Sequence, residues 1–192
     1  MRPEVVPVRL RAYNRAMGRR FKYDHLVFDG IIAKAHKVGL RMDDGRIVPR
    51  DYIRYPGAAV VLPVLGDGRF AFINNYRFAV DEVLYELPAG CLGEGEDPAA
   101  CAARELTEET GYSAGNLRKL GGFYTGPGVS DEYIHAFLAT ELTEGRQKLE
   151  RYERITVDLL EEAQVRSMVA RGKIKDAKTI ATLALYWLSK DL

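Results

Sequence analysis

The sequence predicts an α/β fold in which a mixed β-sheet lies between α-helices, preceded by an arm of β-strands at the N-terminus. Strand-like segments alternate with only a few helical ones, which favours a layered α/β architecture. Residues 57–65 are almost wholly apolar, as expected of a strand that is buried on both faces. A chain of 192 residues can bury one core and carry an added segment. We therefore place the arm at residues 1–45 and the main domain at residues 46–192.

The arm is expected to form short antiparallel strands. Turn signals at Asp29-Gly30 and Asp44-Gly45 separate its strand-like segments, and the second pair is typical of a hairpin. Residues 1–25 contain seven basic and two acidic side chains. This excess of positive charge either attracts phosphate groups or is simply a solvated surface.

In the main domain the pattern predicts further strands and three helices. A turn at Asp67-Gly68 follows the apolar strand and predicts a hairpin with residues 70–77. The other strands are expected at residues 83–87, 117–124, 133–142 and 154–157. The first helix begins at Asp97-Pro98, with Asp97 as its N-cap, and ends at Gly111. Two more helices are expected at about residues 160–171 and 177–190.

Composition excludes several classes of protein. The chain has 28 basic and 27 acidic residues, a net charge of +1, which argues against a dedicated nucleic-acid-binding protein. No apolar stretch approaches the roughly 18 residues of a membrane-spanning helix, and the N-terminus lacks the apolar stretch of a secretory signal. Cys91 and Cys101 form neither a disulfide framework nor a CxxC metal pair, so we expect a cytoplasmic location.

The chemistry is concentrated on the first helix of the main domain. Glu105, Glu108 and Glu109 lie at positions i, i+3 and i+4, so their carboxylates share one face. Like charges at this spacing destabilise a helix unless something neutralises them, and Mg²⁺ prefers oxygen ligands of this kind. The alternative is a solvated acidic face. The opposite face is expected to pack on the sheet through Ala99, Ala103, Leu106 and Thr110.

The spacing of these residues resembles the Nudix box, GX5EX7REUXEEXGU. Gly90, Glu96 and the segment Arg104-Glu105-Leu106-Thr107-Glu108-Glu109-Thr110-Gly111-Tyr112 fit it, except that Tyr112 stands where the pattern has an aliphatic residue. Motifs outside the box resemble the ADP-ribose pyrophosphatase branch of the Nudix hydrolases, and GDP-mannose pyrophosphatases share several of them. These motifs are Pro56-Gly57-Ala58-Ala59-Val60, Tyr76-Arg77, Glu86-Leu87-Pro88-Ala89-Gly90, Gly95-Glu96-Asp97-Pro98, Pro127-Gly128-Val129-Ser130-Asp131-Glu132 and Asp176-Ala177-Lys178-Thr179.

The resemblance implies hydrolysis of a nucleoside diphosphate sugar, most simply ADP-ribose to AMP and ribose 5-phosphate, with two or more Mg²⁺ or Mn²⁺ ions. It places metal ligands at Glu105, Glu109 and the backbone carbonyl of Ala89, with Glu108 helping to bind a second ion. Arg104 is expected to orient the glutamates by bidentate pairing. Glu96 either joins the metal site or fixes a loop by hydrogen bonding.

Because the box glutamates are occupied as ligands, another group must act as general base, and the resemblance places it in the polar stretch after the strand at 133–142. Of the candidates Glu141, Glu144, Glu150 and Glu153, the resemblance favours Glu153 first and Glu150 second; all four are otherwise solvated surface residues. Substrate contacts are expected at Arg77, Tyr76, Glu86 and Glu132. Arg77 has no obvious carboxylate neighbour in the sequence, and the alternative for Tyr76 is a place in the core. The resemblance also implies a homodimer formed by the N-terminal strands. Hydrolysis of GDP-mannose or another nucleotide sugar, or a non-catalytic nucleotide-sugar sensor, are the alternatives.

Overall fold

The computed structural model describes residues 21–151 and 153–190, which fold into two compact units. The first unit ends at Tyr55 and the second begins at Pro56. Six of the seven basic side chains counted in residues 1–25 lie outside the described residues. In the part of the chain that the structure describes, no helix is long and apolar enough to span a membrane.

The described residues of the first unit, 21–55, contain a three-stranded antiparallel sheet. Its strands are β1 (Phe21–Asp29), β2 (Lys34–Arg41) and β3 (Ile47–Arg54), in the order β1-β2-β3. The hairpin predicted at Asp44-Gly45 is confirmed, since Gly45 has φ of 83° and lies between β2 and β3. Residues 47–54 therefore belong to the sheet of the first unit.

In the second unit, residues 56–151 and 153–190 form two sheets and three helices. A mixed four-stranded sheet has the order β7-β4-β9-β8, and a three-stranded antiparallel sheet has the order β10-β5-β6. The strands are β4 (Ala58–Pro63), β5 (Phe70–Arg77), β6 (Glu82–Glu86), β7 (Ala89–Cys91), β8 (Ser113–Tyr124), β9 (Tyr133–Thr143) and β10 (Ile155–Leu160). The helices are α1 (Pro98–Thr110), α2 (Glu162–Ala170) and α3 (Ala177–Ser189).

Strand β4 is buried along its whole length, as its apolar run predicts. Ala59 and Val61 face a cluster formed with α1, whereas Val60 and Leu62 face a second cluster that includes residues of α2 and α3. Helices therefore cover both faces of the mixed sheet, and the predicted α/β architecture is confirmed.

Two details of the prediction are wrong. Strands β4 and β5 are joined by the predicted turn at Asp67-Gly68, but they pair in different sheets beyond the single bridge Val64–Phe70. The reason is that β4 has both edges occupied, by β7 and by β9. In α1, Ala103 is exposed. The predicted Ala99 and Leu106 do pack in the cluster beneath the helix, together with Cys101 and Ala102, and Thr110 is buried.

Candidate active site

Helix α1 begins and ends where the sequence predicts. The side chain of Asp97 accepts hydrogen bonds from the backbone N–H groups of Ala99 and Ala100, at 2.9 and 3.2 Å. Gly111 adopts the left-handed conformation, with φ of 80°, and its N–H donates to the carbonyl of Thr107. Because both ends are fixed, the three glutamates in the second half of the helix have defined positions.

Glu109 is the most deeply buried of these glutamates. Glu109 is 4% exposed, and its Oε2 accepts a hydrogen bond from the backbone N–H of Ala89 at 2.8 Å. Burial raises the pKa of Glu109 to about 8, and the nearby negative charges of Glu105 and Glu153 contribute to that rise. A buried carboxylate with acidic neighbours favours a bound cation that would compensate their charge.

Glu105 approaches the backbone at Gly90. A Cβ atom at Gly90 would lie 1.9 Å from Oε1 of Glu105, so only glycine leaves room for this carboxylate. Burial is the main reason that the pKa of Glu105 is raised. The first glycine of the box thus has a steric role in placing the first glutamate of the helix.

Arg104 links three acidic side chains. Its Nε and Nη2 bind the two carboxylate oxygens of Glu96 at 2.9 and 3.1 Å, and its Nη1 contacts Glu105 at 2.5 Å and Glu108 at 3.0 Å. Glu96 also accepts a hydrogen bond from the N–H of Gly93 at 2.8 Å. Arg104 and, to a smaller extent, this N–H lower the pKa of Glu96 to about 2. The predicted pairing of Arg104 with the glutamates is present, and Glu96 is bound to its own loop.

The residues predicted as metal ligands suit a hard cation in their chemistry. Among residues 21–151 and 153–190, no three His, Cys, Asp or Glu side chains stand in a geometry ready to coordinate an ion. Glu105 and Glu108 instead contact Arg104, and Glu109 contacts Ala89. The ligand atoms that these residues would offer to a metal are all oxygens, and the buried Glu109 has acidic neighbours. This donor set therefore fits a divalent cation such as Mg²⁺.

Arg77, predicted to contact substrate because the sequence offers it no obvious carboxylate partner, has one in the structure. Its Nε and Nη2 form a bidentate pair with Glu86 at 2.7 and 2.6 Å. Lys178 also donates to the buried Glu86 and lies 3.1 Å from Asp176. Burial acts to raise the pKa of Glu86, but Arg77 and Lys178 outweigh it and the pKa is lowered. Glu86 therefore acts as a buried anchor for Arg77.

The other two predicted substrate residues lie at the surface. Tyr76 is half exposed and donates from its hydroxyl to Asp81 at 2.8 Å, so it is not a core residue. Glu132 accepts a hydrogen bond from the hydroxyl of Thr125 at 2.5 Å. Its charge contributes to the raised pKa of Cys91, next to Gly90 in β7.

The segment between β9 and β10, residues 144–154, is called the base loop below. It carries three of the four candidate bases, whereas Glu141 lies within β9. Glu153 and Glu150 form a small turn, because the N–H of each donates to an oxygen of the other, at 2.8 and 3.0 Å. Glu153 contributes to the raised pKa values of both Glu105 and Glu109. Its carboxylate therefore lies close enough to Glu105 and Glu109 to interact with them electrostatically. Glu141 and Glu144 are exposed.

Two residues of this region were not predicted from the sequence. The sequence marks Lys178 only as part of the Asp176-Ala177-Lys178-Thr179 motif, and its pairing with Glu86 spans 92 positions of the chain. Gln147, in the base loop, donates from its side chain to the backbone carbonyl of Glu109 at 2.6 Å. No local pattern marks either contact, since each depends on the folded chain bringing distant segments together.

The capped helix α1 carries a glutamate cluster that includes the buried Glu109, with Gly90 making room for Glu105 and Arg104 binding Glu105 and Glu108. The comparison with known families agrees with these features. Residues 54–183 match the NUDIX domain model, so the chain belongs to the Nudix family and is a Nudix hydrolase. Nudix hydrolases generally use divalent metal ions.

Several known proteins are similar to this chain. An ADP-ribose pyrophosphatase of Bacillus subtilis is 34% identical over 168 residues, which cover 86% of this chain and 91% of that protein. A methanol dehydrogenase activator of Bacillus methanolicus is 31% identical over the same shares of both chains. A GDP-mannose pyrophosphatase of Klebsiella pneumoniae is 33% identical over 153 residues, 73% of this chain and 76% of that one. A solved structure of an ADP compounds hydrolase aligns with a TM-score of 0.76 at 20% identity, over 89% of this chain and 94% of the other, and supports the fold.

Proposed function

We propose that this Nudix hydrolase cleaves the diphosphate bond of ADP-ribose, giving AMP and ribose 5-phosphate. The observation that carries the proposal is the buried Glu109, with the negative charges of Glu105 and Glu153 around it. The similarity to the Bacillus subtilis ADP-ribose pyrophosphatase, which extends over most of both chains, supports this choice of substrate.

Two or more Mg²⁺ ions belong to the proposal. Glu105, Glu109 and the carbonyl of Ala89 would hold them, Glu108 would assist with a second ion, and Glu96 would support the site through Arg104. When bound, such ions neutralise the charge of the diphosphate and lower the pKa of a water molecule.

Glu153 is the proposed general base. Its carboxylate accepts a proton from the attacking water, the water oxygen bonds to one phosphorus, and the bridging P–O bond breaks. Each product then leaves with its own phosphate group. Glu153 suits this role because it belongs to a loop and its charge acts on Glu109, whereas Glu150 is exposed and donates its N–H to Glu153. Glu150 is the second candidate.

Arg77 is the proposed contact for the oxygens of the diphosphate. Bidentate pairing with Glu86 holds the plane of its guanidinium, and the second cation of the group, Lys178, compensates the charge of Glu86. Because a guanidinium has five N–H donors, Arg77 has further donors for an anion. Tyr76 and Glu132 are proposed to contact other parts of the substrate.

The test of this function is product identification. With Mg²⁺ present, the purified protein should convert ADP-ribose to AMP and ribose 5-phosphate in equal amounts, as measured by ion chromatography with mass detection. A metal chelator should stop the reaction. Glu153→Gln should lower the rate by about 10² to 10⁴-fold, whereas Glu150→Gln should leave most of it. If Glu150→Gln lowers the rate by that factor and Glu153→Gln leaves most of it, Glu150 is the base.

Hydrolysis of GDP-mannose is the second candidate activity. The similarity to the Klebsiella pneumoniae GDP-mannose pyrophosphatase favours it, although that match covers a smaller share of this chain than the match to the Bacillus subtilis enzyme. The proposed roles of the α1 glutamates and of Glu153 are the same for either substrate.

A homodimer and a cytoplasmic location are also proposed. Five large apolar side chains around the β1–β2 turn are exposed: Leu26, Val27, Phe28, Ile31 and Ile32. Such a group favours burial against a second copy of the chain. Sedimentation of Ile31→Lys beside the unaltered protein tests this, since a dimer should shift towards the monomer. Cys91 and Cys101 are free thiols, which suits a reducing compartment.

A further inference from the structure

The base loop crosses the C-terminal end of α1 in close backbone contact. The N–H of Lys148 donates to the carbonyl of Glu108 at 2.9 Å. A Cβ atom at Gly145 would lie 2.8 Å from the carbonyl oxygen of Gly111, and one at Gly111 would lie 3.0 Å from the backbone of Arg146 and Gln147. Two glycines thus allow the loop to lie directly against the end of the helix that carries the glutamates.

The last carbonyls of an α-helix have no partner within the helix, so they need donors from elsewhere. Gln147 provides one for Glu109. Its Nε2 donates to the carbonyl of Glu109 at 2.6 Å and to the carbonyl of Ile155 at 3.4 Å. A primary amide nitrogen carries two hydrogens, so one group can serve both acceptors.

These two carbonyls belong to two segments of the proposed active site, one carrying a metal ligand and the other carrying the general base. Glu109 is a proposed metal ligand, and Ile155 follows the proposed base Glu153 by two residues at the start of β10. Ile155 itself is fixed by its antiparallel pairing with Asn75 of β5. One amide group therefore connects the backbone of the ligand helix with the backbone that carries the base.

We propose that Gln147 is a positioning residue that sets the separation between Glu109 and Glu153. This inference rests on the proposed function, since it assumes that Glu153 is the base. Gln147 is otherwise exposed, so packing in the core does not account for its place. Loss of its amide leaves the bond from Lys148 to Glu108 intact, and the base loop stays on the helix with Glu153 less exactly held.

Gln147→Met tests the inference, because methionine has a similar length and no donor. We expect kcat for ADP-ribose to fall roughly tenfold, since small displacements of a reacting group are costly. KM and the Mg²⁺ concentration for half-maximal activity should stay within about twofold, as the ligands and Arg77 are unaltered. Gln147→Asn keeps an amide on a shorter side chain, so it should also lower kcat for ADP-ribose, but by a smaller factor. It also provides a readout if the methionine variant is poorly folded.

A double-mutant cycle separates positioning from a general structural effect. If Gln147 acts through Glu153, adding Gln147→Met to Glu153→Gln should lower kcat no further than Glu153→Gln alone. Gln164→Met is the matched control, because Gln164 also binds backbone through its side chain, in the capping box of α2. It should leave kcat unchanged.

The outcomes distinguish the inference from the function on which it rests. Losses that multiply in the double variant, or an unchanged kcat in Gln147→Met, overturn the positioning role while Glu153 remains the base. An unchanged rate in Glu153→Gln instead removes the assignment of the base, and the positioning role with it.

Discussion

The carboxylate of Glu109 and the backbone N–H of Ala89 form a hydrogen bond of 2.8 Å that joins α1 to β7. Ala89 is also the residue whose carbonyl is proposed to bind metal. The bond therefore holds a side-chain ligand and a backbone ligand in a fixed relation. The substitution Glu109→Gln replaces one carboxylate oxygen by an NH₂ group, which keeps the size of the side chain and removes its charge.

Glu109→Gln should lower turnover much more than it lowers stability. The proposed ions account for several kcal/mol of transition-state stabilisation, so loss of a ligand should reduce kcat by about 10²-fold or more. Removing one of several neighbouring negative charges relieves repulsion in the metal-free helix. Steady-state kinetics and denaturant unfolding check both parts. Turnover near that of the unaltered protein with a clear loss of stability would show that the cluster is structural.

The raised pKa of Glu109 predicts how the stability of the metal-free protein depends on pH. The carboxylate titrates near its ordinary value of 4.5 when unfolded and at about 8 when folded. The stabilising contribution of the protonated Glu109 to the free energy of unfolding is therefore fully present below about pH 4.5 and is lost as the pH rises towards 8. In chelator, Glu109→Gln should gain stability relative to the unaltered protein between about pH 5 and pH 8. Unfolding curves for both proteins at the two pH values give the difference, and a constant difference contradicts the assignment.

Gly90→Ala should reduce activity through Glu105. The added methyl group would lie 1.9 Å from Oε1 of Glu105, so the carboxylate must move away from β7. A displaced ligand should lower kcat by about 10-fold or more and raise the Mg²⁺ concentration needed for half-maximal activity. Gly66→Ala in the β4–β5 turn is the control, because nothing lies within 4 Å of a Cβ there. Equal activity of the two variants would mean that Glu105 need not approach Gly90.

Lys178→Met should destabilise the fold because it removes one of the two cations on the buried Glu86. Hydrogen bonds to charged groups contribute roughly 1.5–3 kcal/mol, and a loss in that range is expected here. Lys175→Met is the matched control, since Lys175 forms an exposed pair with Glu82 at 2.7 Å, a kind that contributes about 0–1 kcal/mol. Urea unfolding of both variants measures the difference. A loss for Lys178→Met no larger than for Lys175→Met would show that Arg77 alone satisfies Glu86.

The sequence is informative where local chemistry decides the structure. Asp97, Pro98 and Gly111 determine the ends of α1 through bonds to their own neighbours, and the apolar run at β4 reports its burial on both faces. Local sequence does not predict which distant segments pair with each other. The separation of β4 and β5 into two sheets depends on which strands occupy the edges of β4, and no turn signal carries that information.

The same distinction applies to the candidate site. The spacing of the three glutamates predicts a common face, and Glu109 and Glu105 do lie near each other. The partners of these residues come from elsewhere in the chain. Gln147 is 38 positions from Glu109, and Lys178 is 92 positions from Glu86, so only the folded chain reveals that they meet.

The final prediction is that ADP-ribose is preferred over GDP-mannose by more than about tenfold in kcat/KM, a difference near 1.4 kcal/mol at the transition state. The broader similarity to the Bacillus subtilis enzyme supports it. The residues proposed to act at the diphosphate, Arg77 and Glu153, meet a group that both substrates share, so they contribute little to the preference. Adenine and guanine differ in their polar edges, and discrimination requires protein groups that are left unpaired by the wrong base. Side-by-side kinetics on one preparation measure the ratio, with Glu153→Gln as a control that should slow both substrates by the same factor. Equal or reversed values of kcat/KM would leave the hydrolase chemistry in place and remove the assignment of ADP-ribose as the preferred substrate.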